Sequence, residues 1–320
     1  MSRFISTFAT KIDAMLENRL SRGLKEDAHL RNLLRFDKFC AGHFGEANEL
    51  TMEVVYAWMD SEAEITQKGL NTKASTIRQL GKYLCAIGEA AYILPEKFVT
   101  DRSTFIPYIF TDDELSMLFN AIDAFPEDRN EPFLNLIAPI MFRLIYTCGL
   151  RPNEGRGLLR ENVNFDTGEI MITKTKHNKD RIIVMSDDML SLCKSYDVQR
   201  NIFSNSPYFF PAKDGGTFTD SKLLATLNKA WVTATCNPLN PIPKRIRVYD
   251  LRHRFASACL NRWLDEGRDL MVMLPYLRSY MGHGTMDETA YYIHILPENL
   301  TKSSAVDWSK FNEMFQGVVI

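Results

Sequence analysis

The chain has 320 residues, with 38 lysines and arginines against 40 aspartates and glutamates, which gives a formal net charge of −2. Hydrophobic residues make up 45% and charged residues 24%, a composition typical of a globular protein of one or two domains that excludes disordered, collagen-like and coiled-coil chains. No apolar run reaches the roughly 18 residues that a membrane helix needs. Lys11 and Asp13 interrupt the segment where a signal peptide would be apolar.

The six cysteines are widely spaced and include no Cys-x-x-Cys pair. This pattern predicts reduced thiols rather than disulfides or a zinc site, so we expect a cytoplasmic protein.

Periodicity along the first hundred residues predicts a compact all-helical module. Apolar residues recur at three-to-four spacing in four segments: 4–20, 28–44, 51–63 and 72–91. The stretch from Leu94 to Pro107 has no sustained periodicity and contains two prolines, Pro95 and Pro107, so we place a linker there. The predicted domains are residues 1–100, the helical module, and residues 101–320.

The second half mixes helical and strand patterns. Thr111 and Glu114 have the spacing of a helix capping box, and the almost wholly apolar segment 133–146 predicts a buried helix kinked at Pro139. Two short β-type runs, 169–173 and 181–185, flank a turn with three lysines and predict a hairpin. Further helices are predicted at 188–196, 220–232, 250–263 and 270–281. The predicted fold class is mainly α with a small β-sheet, an α+β domain after the helical module.

Charge is unevenly distributed along this second half. Residues 244–254 carry five lysines and arginines against Asp250 alone, whereas residues 112–131 carry seven acids against Arg129. The near-neutral total weighs against a nucleic-acid partner, but one basic face with an acidic back would still allow one. The alternative is that these charges are scattered over the surface and solvated, with no single basic face.

Four basic segments stand out, and each has an ordinary structural explanation when taken alone. Arg151 follows the most buried helix and could pair with Glu154; Lys174 and Lys176 could lie on an exposed turn. The segment 249–253 could begin a surface helix, and 281–294 could place two core tyrosines beside a helix end.

Together, in this order and spacing, the four segments resemble the tyrosine recombinase (phage integrase) family over about residues 105–300. GLRPNE is similar to the first arginine box, KHNKDRIIVM to the hairpin lysine segment, YDLRHRFAS to the second arginine box, and MGHGTMDETAYYIHI to the final histidine and tyrosine box. The resemblance implies these catalytic residues: Arg151, Lys176, Tyr249, Arg252, His283 and the nucleophile Tyr292. Tyr292 rather than Tyr291 matches the family's tyrosine-x-histidine spacing, with His294. Tyr249 departs from the family, which normally has histidine there.

The resemblance implies a site-specific DNA recombinase, an integrase of a phage or mobile element, that works through a 3′-phosphotyrosyl intermediate and needs no metal or cofactor. It implies a supporting role for Glu154, which would orient Arg151, and DNA contacts by Lys174, Lys179, Lys244, Arg245 and Arg247. It implies that residues 1–100 form a helical DNA-binding (core-binding) domain and that residues 101–320 form the catalytic domain with a C-terminal tail helix. The implied partners are duplex DNA, held in a C-shaped clamp, and three further copies in a homotetramer. We expect the protein to be bacterial or phage-encoded and to have no membrane partner.

The C-terminal tail offers one apolar helical face, formed by Trp308, Phe311, Met314 and Phe315. It either packs on its own domain or, as the family implies, docks onto a neighbouring protomer.

Three other functions remain open from the sequence. A topoisomerase-like nicking-closing enzyme would use the same tyrosine link. A catalytically impaired DNA-binding relative, acting as an architectural or accessory factor, would fit the substitution at Tyr249. A helical interaction scaffold without DNA would fit the neutral charge.

Overall fold

The computed structural model describes residues 3–23, 27–61, 66–98, 107–173, 180–236 and 245–294. The chain divides into two compact units, Met1–Thr104 and Phe105–Ile320. The boundary that we predicted at residue 100 falls in 99–106, outside the described residues. Within the described ranges, no helix is both long enough and apolar enough to cross a membrane.

The first unit is helical in its described part. Its helices are α1 (Ala9–Ser21), α2 (Asp27–His43), α3 (Met52–Asp60) and α4 (Gln67–Ala86). They enclose an apolar core in which the rings of Phe36 and Trp58 meet edge to face, with centroids 5.3 Å apart. The four predicted helices therefore exist, but α1 begins later than predicted, α3 ends three residues earlier, and α4 both begins and ends five residues earlier.

The first helix begins five residues later than predicted. Asp37 on α2 accepts hydrogen bonds from the backbone N–H of Ile5 at 2.7 Å, from the N–H of Ser6 at 2.9 Å and from the Ser6 hydroxyl at 2.6 Å. These backbone groups are therefore bound in a non-helical segment. The fourth helix begins five residues earlier than predicted because the hydroxyl of Thr66 caps it by accepting from the N–H of Gly69.

The second unit is mainly helical with one two-stranded antiparallel sheet in its described part, so the predicted fold class is confirmed. Its elements are α5 (Asp112–Asp123), α6 (Leu134–Thr147), α7 (Pro152–Arg156), β1 (Glu169–Ile172), β2 (Arg181–Val184), α8 (Asp187–Phe203), α9 (Asp220–Thr235), α10 (Val248–Asp265), α11 (Leu270–Met281) and α12 (Asp287–His294). The capping box of Thr111 and Glu114 forms as predicted. Helix α8 runs seven residues past its predicted end.

Helix α6 lies at the centre of the second unit. Half of its 14 residues are buried, and Pro139 lies inside it as expected. The strands pair in the predicted hairpin, with Met171 opposite Ile182 and Ile172 opposite Arg181. The turn at 174–179 lies outside the described residues. The buried end of α6, the start of β2 and the C-terminus of α11 all contribute to the site described next.

Candidate active site

The chain reverses sharply between α6 and Arg151. Gly149 has a left-handed backbone with φ of 59°, and a Cβ atom there would lie 2.3 Å from the Phe255 ring. Only glycine fits both conditions. Pro152 then occupies the first position of α7, where its fixed φ suits a helix start. This turn places Arg151 at the cap of α7, facing the interior of the unit.

The Arg151 guanidinium is bound on two sides. Its Nη1 donates to Oε1 of Glu154 at 2.8 Å, and its Nη2 donates to the carbonyl oxygen of Gly282 at 2.6 Å. Glu154 also accepts from the backbone N–H of Arg151 at 2.9 Å. The predicted pairing of these two residues is present, and it fixes the orientation of the guanidinium.

Arg252, in the second turn of α10, is wholly buried. Its Nη1 donates to the carbonyl of Gly149 at 2.7 Å, and its Nη2 donates to the carbonyl of Met281 at 2.7 Å. The Nε of Arg252 has no hydrogen-bond partner among the described residues. A buried donor without a partner costs free energy, and an anion that accepted from it would recover that cost.

His283 follows α11 and lies between Arg252 and α12. Its Nε2 is 2.9 Å from Nη2 of Arg252, and its Nδ1 is 2.8 Å from the hydroxyl of Thr289. Burial, and then the charges of Arg252 and Arg151, lower the pKa of His283 to about 3. The ring is therefore neutral in this state.

Tyr292, on α12, is 2% exposed and packs into the same cluster. Its ring lies nearly parallel to that of His283, with centroids 5.7 Å apart, and 5.4 Å from the ring of His253. Burial raises the pKa of Tyr292 to about 12, although the nearby Arg252 charge acts in the opposite direction. Tyr291 is 40% exposed and lies at the edge of the cluster, with its ring centroid 6.2 Å from those of His253 and Tyr292.

Tyr249 lies beside both arginines. The Arg252 Cζ atom is 6.0 Å from the Tyr249 ring centroid, and Tyr249 lies close enough to Arg151 to interact with it electrostatically. The structure therefore brings Arg151, Glu154, Tyr249, Arg252, His283 and Tyr292 together in one cluster.

The sequence profile described as the phage integrase family matches residues 109–299 of this chain. The chain belongs to the phage integrase family. This confirms the resemblance found in the sequence, and the chain is an enzyme of the tyrosine-type site-specific recombinase class.

Relatives of this family match most of the chain. Tyrosine recombinase XerD of Rickettsia bellii is 27% identical over 318 residues, which covers 94% of this chain and 96% of the relative. Among solved structures, the Tn1549 transposon integrase in complex with transposon right-end DNA has a TM-score of 0.64 at 14% identity, with 97% of this chain and 99% of that chain covered. The XerH site-specific recombinase bound to its difH substrate has a TM-score of 0.62 at 16% identity, covering 88% and 79%. These solved structures establish the shared fold.

Four of the positions that the family resemblance selected cannot be placed. Lys174, Lys176, Lys179 and Lys244 lie outside the described residues. Of the two remaining DNA-contact candidates, Arg245 is exposed, and Arg247 donates through Nη2 to Asp250 at 3.1 Å. Within the described ranges, no group of His, Cys, Asp or Glu has the clustering of a metal site.

Three residues of the cluster were not singled out as site residues in the sequence. Arg181 donates to both oxygens of Glu154, Thr289 contacts His283, and the His253 ring packs on Tyr292. Arg181 lies within the hairpin lysine segment and His253 within the second box, so the motifs contained them without revealing their contacts. Thr289 carries no sequence signal beyond its place between His283 and Tyr292.

Proposed function

We propose that this family member breaks and rejoins duplex DNA at specific sites, with Tyr292 as the nucleophile. One observation supports this assignment most strongly: the Tyr292 ring is buried against His283 in the cluster that contains Arg252, whereas Tyr291 is exposed. Adjacent residues on a helix diverge by about 100°, so only one of the two tyrosines can face this cluster.

The chemistry is a transesterification. The Tyr292 phenol oxygen attacks a backbone phosphorus atom and loses its proton, the bond from phosphorus to the 5′-oxygen breaks, and that oxygen takes up a proton. A 5′-hydroxyl of another strand then attacks the 3′-phosphotyrosyl phosphorus and releases the tyrosine. Each step exchanges one phosphoester bond for another, so ATP is not needed.

The arginines suit the phosphoryl group. A phenol with a pKa near or above about 10 is a poor nucleophile unless nearby cations stabilise its oxyanion. Two guanidiniums donate paired hydrogen bonds to non-bridging oxygens and stay charged throughout, and such positioned charge is the main catalytic contribution in phosphoryl transfer. Arg151 and Arg252 have this role in the proposal, and Lys176 supplies the proton to the leaving 5′-oxygen.

DNA binding must change this cluster before the reaction starts. Arg252 has no exposed surface and Tyr292 almost none. A phosphate can therefore reach Arg252 only if part of its surroundings moves. The carbonyl and histidine contacts of the two arginines are then replaced, wholly or partly, by phosphate oxygens.

The enzyme acts on duplex DNA as a homotetramer in this proposal, with residues 1–100 and the second unit both contacting DNA. A solved relative, lambda integrase, is described as a tetramer bound to a Holliday junction, with a TM-score of 0.57 and 12% identity to this chain. The apolar tail residues from Trp308 to Phe315, outside the described residues, would dock on a neighbouring protomer. Truncation after Pro297 should then weaken synapsis but leave cleavage of a single site largely intact, whereas equal loss of both would contradict docking in trans.

A nicked suicide substrate tests the function. In such DNA the short fragment beyond the scissile phosphate diffuses away, so the covalent protein–DNA complex accumulates and is counted on a denaturing gel. We expect a complex with the wild-type chain and with Tyr291→Phe, and none with Tyr292→Phe. Absence of a complex with wild type on DNA containing its own site would contradict the proposal. Relaxation of plasmids without paired sites would instead favour a topoisomerase-like enzyme.

A further inference from the structure

The C-terminus of α11 binds three different arginines through three consecutive backbone carbonyls. The carbonyl of Tyr280 accepts from Nε of Arg181 at 2.8 Å. The next two carbonyls, of Met281 and Gly282, accept from Arg252 at 2.7 Å and from Arg151 at 2.6 Å. The last carbonyls of a helix have no partner within it and carry partial negative charge, so this end of α11 is a natural site for cations.

Arg181 links this helix end to Glu154. Its Nη1 and Nη2 donate to the two carboxylate oxygens of Glu154 at 2.9 and 2.7 Å, in the paired geometry that suits arginine and a carboxylate. The side chains of Arg181 and Glu154 are only 9% and 8% exposed. All three guanidinium nitrogens of Arg181 therefore donate to the protein, which suits a role in holding the site rather than in binding phosphate.

The turn after α11 is shaped around Arg181. Gly282 has a left-handed backbone with φ of 66°, and a Cβ atom there would lie 3.0 Å from Nη1 and 3.2 Å from Cδ of Arg181. The Arg181 side chain thus lies directly against the turn that leads into His283. Movement of Arg181 would disturb this turn and, through Gly282, the contact that holds Arg151.

Arg181 also changes the charge that Arg151 presents. Glu154 accepts from Arg151 and Arg181 together, and Nη1 of Arg252 is 4.0 Å away. Arg151, Arg181 and Glu154 together therefore carry a net positive charge, which can attract a phosphate. Without Arg181, Glu154 would neutralise Arg151 alone.

We propose that Arg181 is a positioning residue for DNA cleavage. It holds Glu154 and the C-terminus of α11 so that Arg151 and His283 keep their places and Arg151 keeps its charge available to phosphate. This inference rests on the proposed function. On this proposal Arg181 acts through Arg151 and His283 and not through Lys176, although Arg181 and Lys176 lie in the same hairpin segment.

The first test compares Arg181→Ala and Arg181→Lys with matched variants of Arg160. Arg160 forms an equivalent two-bond pair with Asp197, at 2.7 Å for each bond, outside the cluster. On a nicked suicide substrate, we expect Arg181→Ala to lower the single-turnover cleavage rate constant about 100-fold. Arg181→Lys keeps the charge but loses the fork, and we expect a loss of about tenfold or more. DNA affinity by mobility shift should stay within about threefold for all four variants, and the Arg160 variants should cleave nearly as wild type.

A substrate with sulfur in place of the 5′-bridging oxygen separates the two routes by which Arg181 could act. The thiolate leaving group has a pKa near that of cysteine, about 8.5, so it departs without a proton donor. If the Arg181 variants cleave slowly because Lys176 no longer donates its proton, this substrate would restore their cleavage rate. If they cleave slowly because the arginines are misplaced, the low rate would persist. We expect the Arg181 defect to persist. Rescue by sulfur, wild-type cleavage by Arg181→Lys, or a loss of affinity equal to the loss of rate would each overturn the proposal.

A measurement without DNA distinguishes this inference from the proposed function. In ¹⁵N NMR of the DNA-free protein, Arg181→Lys should shift the His283 ring signals, and Arg160→Lys should leave them in place. Unshifted His283 signals in Arg181→Lys would overturn the positioning role even if the wild-type chain cleaved DNA. Failure of the wild-type chain to form a covalent complex, with the His283 shift present, would contradict only the proposed function.

Discussion

Nη2 of Arg252 lies 2.9 Å from Nε2 of His283, and this contact determines which nitrogen of the histidine carries the proton. Arginine only donates, so Nε2 must accept and Nδ1 must be protonated. The Nδ1–H then donates to the hydroxyl of Thr289 at 2.8 Å. In the DNA-free state His283 is therefore a neutral acceptor toward Arg252, held in one tautomer by a buried threonine on the same helix as Tyr292.

Thr289→Val should loosen this arrangement. The variant leaves the His283 Nδ1–H without an acceptor, which costs about 1–3 kcal/mol and removes the contact that orients the ring, while Arg252 still requires Nε2 to accept. We expect ¹⁵N NMR to show His283 protonated at Nδ1 in wild type and shifted His283 ring signals in the variant, with cleavage slowed about tenfold. Thr226→Val is the control, since the buried Thr226 hydroxyl donates to the Lys222 carbonyl within α9. A wild-type ring protonated at Nε2 would refute the assignment.

His283 should also stay neutral across the ordinary pH range. Its pKa is lowered to about 3 by burial and then by Arg252, whereas a free histidine titrates near 6.5. The unfolded chain therefore binds a proton that the folded chain excludes, so this residue makes the free energy of unfolding fall as the pH drops from 6.5 toward 3. NMR titration of the DNA-free protein should show no inflection of the His283 signals near 6.5. An inflection there would contradict the buried placement.

Tyr249→Phe tests the residue that replaces the family's histidine. The change keeps the ring beside Arg252 and removes the hydroxyl that interacts electrostatically with Arg151. We expect cleavage to slow about tenfold with little change in DNA affinity, and Tyr249→His to cleave at least as fast as wild type. Tyr276→Phe, at a 66% exposed position, is the control. Equal rates for Tyr249→Phe, Tyr249→His and wild type would mean that the hydroxyl has no part in cleavage.

Glu154→Gln should destabilise the folded chain in a pH-dependent way. Burial acts to raise the pKa of Glu154, but the bonds from Arg181 and Arg151 outweigh it and lower the value from 4.5 to about 2. The folded carboxylate thus contributes about 3 kcal/mol above pH 4.5, which is lost as the pH falls through 2. The difference in unfolding free energy between wild type and Glu154→Gln, measured by urea unfolding, should therefore shrink below pH 4.5.

The control for that experiment is Glu131→Gln, which removes a partly exposed pair with Lys222 at 2.6 Å. It should change the unfolding free energy at neutral pH by less than about 1 kcal/mol. A constant difference between wild type and Glu154→Gln down to pH 2 would mean that the arginines do not hold the carboxylate ionised.

The domain boundary stays a prediction from the proline-containing stretch that separates a helical half from a mixed half. Limited proteolysis of the DNA-free chain should cut first within residues 95–107. Early cuts inside 130–290, with resistance in that stretch, would contradict it.

The sequence predicted the elements better than the contacts of the site. Apolar spacing identified most of the described helices but not α7 or α12, and the resemblance of the basic segments to the family's boxes selected Arg151, Arg252, His283 and Tyr292. The carbonyl acceptors of Tyr280, Met281 and Gly282 could not be predicted, because a backbone oxygen has no side-chain signature and becomes an acceptor only where α11 ends. The shared use of Glu154 by two arginines joins elements that are 27 residues apart, and no local pattern encodes it.

Local spacing also failed where a distant side chain captured the backbone. Phe4, Ile5 and Phe8 have helical spacing, yet Asp37, more than thirty residues away, binds the backbone N–H groups of Ile5 and Ser6. Hydrogen bonds between distant residues override local periodicity in such cases.

If Tyr292 is the nucleophile, it carries the DNA in the covalent intermediate. The most direct test is to trap the covalent complex on a nicked suicide substrate, digest the DNA and the protein, and map by mass spectrometry the tyrosine that retains a nucleotide phosphate. We expect the modified residue to be Tyr292 and Tyr291 to be unmodified. A modified Tyr291, or a modification at any other residue, would contradict this expectation.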